Sequence, residues 1–326
     1  MKKTILGIAL TLLVMLSGMP LIVEPAVAAV PYQQITGNLG GADYLIRIPS
    51  NWQGDLVVMC RGYSATPVDI TTLEFYANSF SFITNLGFAF AGTTYGENGF
   101  CVQKGMIRTH QLTEWVIENY DVTDKVLLFG ISMGGDIALQ LGTKYPDLYD
   151  GVFELAGVKD AKACYIDGLE ALSTTSDDAL IAHINAHSGS VPPCPMIFGN
   201  DIPIALMGFR GFSFAAVTDI KLECGGTPQQ KPKAYERVSP ISSALDIKIP
   251  TITVHGTKDS LVPYTQSLAY LAAVTQAGHS DLYRLYGVPN GEHVDVSSAM
   301  SMAIYFSFVN LIAWVEYGVP APVSTP

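Results

Sequence analysis

The amino-acid sequence predicts an α/β fold: a mostly parallel central sheet with helices on both faces, interrupted once by a large, partly helical insertion. Three observations carry that prediction. Short apolar runs such as Leu56-Val57-Val58-Met59-Cys60 and Val126-Leu127-Leu128-Phe129 suit strands buried on both faces. Amphipathic stretches alternate with these runs, which is the order of a parallel sheet covered on both sides. Over residues 158–246 the alternation stops, and a segment of that size between regular elements usually serves a function.

Residues 1–28 read as a leader, with Lys2 and Lys3, an apolar run over 4–23, and Ala26-Val27-Ala28 as a small-residue cleavage site before Ala29. The run is longer than an ordinary leader core, so a retained membrane anchor is the competing reading. Pro20 and the Ala-x-Ala pattern favour cleavage. No later stretch reads as a bilayer span. The core then comprises residues 29–157 and 247–317, the insertion 158–246, and a proline-rich tail, 318–326, that is expected to fray.

Within the core, residues 32–39 and 42–48 flank Gly40-Gly41 and predict an edge hairpin. Strands are expected at 55–60, 88–91, 125–129, 151–155, 251–255 and 281–286. Helices are expected at 71–86, 104–119, 137–145, 262–277 and 298–317. Inside the insertion, 177–187 reads as a helix with Ser176 as its N-cap, and 202–217 is a long apolar stretch.

With 326 residues, 49% hydrophobic and 14% charged, the chain can bury a large core and is not disordered by composition. Its formal charge of −11 becomes one unit more negative without the leader, and an acidic chain repels phosphate backbones, so nucleic acid is not an expected partner. Five cysteines in an exported chain leave at least one unpaired. A bridge among Cys164, Cys194 and Cys224 is the first expectation, Cys60 reads as a small core residue, and the spacing matches no zinc pattern.

The chemistry centres on Gly130-Ile131-Ser132-Met133-Gly134, set between a buried strand and a helix. A serine in such a turn exposes its hydroxyl, and the flanking glycines let strand and helix approach closely. Gly211-Phe212-Ser213-Phe214-Ala215 lacks both the preceding strand and the final glycine, so Ser213 reads as an ordinary serine. A serine nucleophile needs a base and a carboxylate to orient it. His293, in Gly291-Glu292-His293, and Asp259, in His255-Gly256-Thr257-Lys258-Asp259, both follow strand ends on the sheet edge expected for Ser132. His279 precedes the last strand and should lie at the opposite edge, while His110 and His255 read as structural. His183 and His187, spaced i, i+4, make half a metal site, but no third ligand is evident and packing is the simpler role. No metal or organic cofactor is called for.

These motifs, with Ser239-Pro240 shortly before Ile249-Pro250, resemble the α/β-hydrolase superfamily over about residues 44–157 and 240–317. The resemblance implies acyl transfer by Ser132, His293 and Asp259, with the backbone N–H groups of Met133 and Tyr63 as oxyanion donors. Arg61-Gly62-Tyr63 resembles the His-Gly-Phe of feruloyl and cinnamoyl esterases and the Pro-Gly-Tyr or Pro-Gly-Phe of cutinase-like polyester hydrolases. Arg61 stands where many relatives carry histidine, leaving a structural ion pair or a contact to an acidic substrate group. Phe209 and Phe212, with Phe198, Leu206, Met207 and Phe214, either line a substrate pocket or form the insertion's own small core.

The expected protein is a secreted or periplasmic serine esterase, not membrane-bound after leader cleavage. Its substrates would be small aromatic (feruloyl-type) or short-chain esters, free or borne on a polymer, with the insertion as a cap. The alternatives are a secreted prolyl-oligopeptidase-like peptidase, a cutinase-like hydrolase, and a non-catalytic binding protein on the same scaffold.

Overall fold

The computed structural model describes residues 30–295 and 297–323, so the predicted leader lies outside the described residues. Among them, eight strands form one sheet: β1 (Tyr32–Leu39), β2 (Ala42–Pro49), β3 (Leu56–Cys60), β4 (Ala89–Thr93), β5 (Val126–Ile131), β6 (Gly151–Leu155), β7 (Thr251–Gly256) and β8 (Tyr283–Val288), in the order β1-β2-β4-β3-β5-β6-β7-β8. The β1–β2 hairpin and the β2–β4 pair are antiparallel, and every other pairing is parallel. After β3 the chain steps to β4 on one side, then crosses to β5 on the other, so strand order reverses between β3 and β5. A crevice opens beyond the carboxyl ends of strands at such a reversal.

The apolar runs are two-sided, as a covered parallel sheet requires. Leu56, Val58 and Cys60 face one core while Val57 and Met59 face the other, and Leu128 and Phe129 of β5 divide in the same way. Helices α3 (Val102–Asn119), α4 (Met133–Lys144) and α10 (Tyr264–Gln276) cover the first face. Helices α1 (Ile70–Ser79), α2 (Phe82–Asn85) and α11 (Ser298–Tyr317) cover the second.

Between β6 and β7 lie α5 (Ala161–Ser173), α6 (Asp177–His187), α7 (Pro195–Phe198), α8 (Ile202–Cys224), α9 (Pro232–Arg237) and a 3₁₀ turn, Pro240–Asp246. Ser176 caps α6 by accepting from the Ala179 N–H. The apolar stretch at 202–217 extends into the full α8, closed by Gly225 at φ 70°. Leu180, Ile184, Cys194, Leu206 and Phe209 form a separate small core, which Leu261 from the loop after β7 joins.

Four expectations need correcting. The single helix predicted over 71–86 is two, because Phe80 leaves the helix (φ −111°, ψ 35°) and packs its ring 4.9 Å from that of Phe129. All five cysteines are free thiols on separate elements; Cys164 Sγ accepts from Gln266 Nε2, and Cys194 is buried in the insertion's core. The described part of the tail, 318–323, is docked through Ala321, which is buried and whose carbonyl accepts from Arg284 Nε at 2.8 Å, while Tyr286 Oη donates to the Pro322 carbonyl. Finally, α11 is long and apolar enough to cross a membrane, yet it buries Met300, Ile304, Phe308 and Leu311 against the sheet.

Phe308 is fully buried, its ring centroid within 5.5 to 6.2 Å of those of Phe82, Phe88, Phe129 and Phe153. Truncation there removes apolar area and leaves a cavity that rigid neighbours cannot fill. Phe308→Ala is expected to cost about 3–5 kcal/mol of unfolding free energy, read as a lower urea midpoint at unchanged slope. A midpoint within error of the wild type would show that α11 does not anchor this face.

Candidate active site

Ser132 occupies the single residue between β5 and α4, with φ 55° and ψ −124°. A non-glycine residue there is strained by roughly 1–3 kcal/mol and persists only where its surroundings over-determine it. They do so here. Ser132 N–H donates to the Leu155 carbonyl at 2.9 Å, and the Ser132 carbonyl accepts from Gly135 N–H at 2.8 Å. A β-carbon on Gly134 would lie 2.0 Å from the Cys60 carbonyl oxygen, and one on Gly130 would lie 2.3 Å from that of Gly134. The glycines therefore set the distance between strand and helix, and that distance presents the serine hydroxyl.

Asp259 and His293 come from the loops after β7 and β8 and meet Ser132 at the sheet edge. His293 Nε2 lies 3.0 Å from Ser132 Oγ, and His293 Nδ1 lies 2.7 Å from Asp259 Oδ2. A carboxylate only accepts, so Nδ1 carries the proton and Nε2 is left to accept from the serine hydroxyl. Asp259 is fully buried, with Oδ1 accepting from the Leu261 and Val262 N–H groups at 2.9 and 2.8 Å. Burial by itself would raise its pKa. The His293 imidazole and hydrogen bonds from His255 and His293 outweigh that and hold Asp259 well below the usual carboxylate range.

Two neighbours complete this arrangement: His255, read from the sequence as structural, and Glu292, to which the sequence reading gave no role. His255 Nε2 lies 3.0 Å from Asp259 Oδ2 and 2.8 Å from the Val262 carbonyl, which can only accept, so this nitrogen is protonated and donates to both; Nδ1 accepts from Ser267 Oγ at 2.7 Å. The i, i+4 spacing of His255 and Asp259 was the available signal, but only the bend of the loop brings the pair together. Glu292, next to His293, accepts from Ser260 N–H and Oγ–H at 3.2 and 3.1 Å. Its other oxygen is buried without a partner, and burial pushes its pKa up to about 7.

Tyr63 and Met133 border the same cavity as Ser132. Met133 opens α4, where the first N–H groups have no acceptor within the helix. Tyr63 Oη donates to Asp219 Oδ2 on α8 at 2.7 Å, whereas Gly62 N–H is engaged by Tyr76 Oη. The cavity spans about 550 Å³, part of it open to solvent, and α8 walls it with Phe209, Phe212, Ser213, Ala216 and Ile220 along one helical face. Phe209 and Phe212 thus face both the cavity and the insertion's core. Phe198 and Leu206 pack in that core, while Met207 and Phe214 are 69% and 64% exposed.

Arg61 does not reach the cavity. It is 1% exposed, donates to the Thr94, Gly62 and Glu97 carbonyls, and stacks 4.3 Å over the Tyr95 ring, and it has no carboxylate partner among the described residues. His279 meets the Leu245 carbonyl and His110 stacks on Tyr145, both away from Ser132. Ser213 bonds back to the Phe209 carbonyl within α8.

Residues 211–314, about a third of the chain, match a sequence model of the prolyl oligopeptidase family, a span that includes Asp259 and His293 but not Ser132. None of the curated protein sequences matches. Among solved structures, the chain is similar to a puromycin-hydrolyzing peptidase of Mycobacterium tuberculosis (14% identity, TM-score 0.60, covering 93% of this chain and 42% of that one). It is also similar to the acylaminoacyl peptidase of Pyrococcus horikoshii (13%, TM-score 0.57, 92% and 44%). A candidate lipase from Acinetobacter baumannii is matched over nearly its whole length (13%, TM-score 0.54, 88% and 93%). The chain spans less than half the length of the two peptidases. At such identities the likeness shows the fold, which is that of the α/β-hydrolases; with the family match it supports a serine hydrolase.

Glu292 provides a pH signature for this loop. Its folded-state pKa of about 7 lies above its ordinary 4.5, so between those values the folded chain keeps a proton that the unfolded chain has released. Stability from this group therefore falls as pH rises from about 4.5 through about 7. Glu292→Gln removes the effect, so its melting temperature relative to wild type should be higher at pH 8 than at pH 5. An offset equal at both pH values would refute the assignment.

Proposed function

We propose that the chain is an exported serine hydrolase cleaving carboxylic esters of small aromatic or short-chain acids. The observation that carries the ester reading is the cavity beside Ser132, whose wall is largely apolar and is faced by the rings of Phe209 and Phe212. Such a wall favours an uncharged acyl or aryl group. Ser132 Oγ attacks the carbonyl as His293 Nε2 takes its proton, and Asp259 holds the imidazole in the tautomer that accepts. The N–H groups of Met133 and Tyr63 stabilise the oxyanion, a contribution of about 3–4 kcal/mol for one well-placed donor. His293 then passes the proton to the leaving alcohol, and water releases the acyl group by the same route.

The insertion acts as the cap that narrows this cavity. The leader read over residues 1–28 directs the chain out of the cytoplasm, where it meets free or polymer-borne esters. Its acidity argues against nucleic acid as a partner.

A second reading, a peptidase, has its own support in the match over residues 211–314 and in the likeness to two peptidases. Assay of short-chain, long-chain and hydroxycinnamate esters alongside a peptide amide separates the two. Esters should be hydrolysed fastest, and Ser132→Ala should lose roughly 10⁴- to 10⁶-fold in kcat. Amide turnover exceeding ester turnover would replace the ester reading with the peptidase one, and wild-type rates in Ser132→Ala would overturn both.

A further inference from the structure

Helix α6 carries His183 and His187 one turn apart, and α5 brings Asp167 against them. Asp167 Oδ1 lies 3.2 Å from His183 Nε2 and 3.0 Å from His187 Nε2, and the three potential ligand atoms all fall within 4.8 Å of one another. Asp167 Oδ1 and His183 Nε2 are buried and neither makes a hydrogen bond. His187 Nδ1 is 2.8 Å from the His183 carbonyl, which can only accept, so Nδ1 carries a proton and Nε2 of the neutral ring presents a lone pair to the carboxylate. A lone pair facing a carboxylate oxygen at 3.0 Å is repulsive unless a cation or an added proton lies between them.

The geometry points to a binding site for a zinc-class divalent cation formed by Asp167, His183 and His187. Two imidazoles and one carboxylate are an established donor set for zinc, with a fourth tetrahedral position left for water. Ligands about 2.1 Å from a tetrahedral zinc lie about 3.4 Å apart, so the observed separations need only a slight opening. The His187 Nδ1–carbonyl bond is the outer contact that fixes a ligating imidazole's tautomer. Cys164, one turn before Asp167, is occupied by Gln266 and is not a ligand. Because Asp167 also borders the cavity at Ser132, the ion would pin α5 to α6 beside the cavity.

The test titrates metal-free protein with zinc chloride against a chromophoric chelator, alongside thermal melts. One equivalent should bind and raise the melting temperature. Asp167→Asn, which keeps the shape, and His187→Gln, at a partly exposed position, should each weaken binding ten- to a hundredfold and lose the shift. His293→Ala should bind as wild type does, placing the ion away from the triad. Cobalt added in place of zinc should give the visible absorption of a tetrahedral site in the wild type and lose it in His187→Gln. The proposal is overturned if the wild type takes up no stoichiometric zinc, if both ligand variants bind as it does, or if binding is lost in His293→Ala.

Discussion

Strand β5 and helix α4 share a turn at Ser132 because the two glycines flanking it carry no β-carbon. The Cys60 carbonyl stands 2.0 Å from where one on Gly134 would be, so the end of β3 is locked against the start of α4. That contact aligns Cys60 with Gly130 across the β3–β5 pair, where the strand order reverses. The loop carrying Tyr63 and the turn carrying Ser132 therefore emerge side by side. With Asp259 and His293 following β7 and β8 along the same edge, four chain segments converge on one crevice at the strand ends.

Buried charge is distributed unevenly around that crevice. Asp259 stays ionised because four donors surround its two oxygens, whereas Glu292, next to His293 in the neighbouring loop, has one oxygen unpartnered and is pushed toward neutrality. Against the first turn of α4, Lys159 Nζ and Glu154 Oε2 pair at 2.8 Å with both side chains wholly buried. Removing either partner of such a pair typically costs about 3–5 kcal/mol, because the other charge is left uncompensated. Glu154 also accepts from Gly157 N–H, so the pair ties the end of β6 to the first residues of the insertion.

Strand positions, helix periodicity and the three residues converging at the sheet edge were legible because each rests on local pattern: two-sided apolar runs, 3.6-residue spacing, and loops following strands. What escaped the sequence depends on contacts between distant segments. Arg61 satisfies itself on the carbonyls of Gly62, Thr94 and Glu97, and nothing in its neighbours along the chain says so. Asp167 meets His183 and His187 only because α5 and α6 pack together. The tail reads as loose by its prolines, yet Arg284 on β8 captures the Ala321 carbonyl. The cysteines are close in sequence but sit on different elements, and the end of α1 is decided by where the Phe80 ring finds Phe129.

Leu261 ties these levels together. Its N–H donates to Asp259 Oδ1, while its side chain belongs to the small core of the insertion. The insertion is therefore not a detachable module. Exchanging it for a shorter loop, or grafting it onto another scaffold, would strip the apolar cover from Leu261 and loosen the turn that holds the carboxylate. Any redesign of the insertion must carry a matching change in the β7 loop, because the two share a single packing solution.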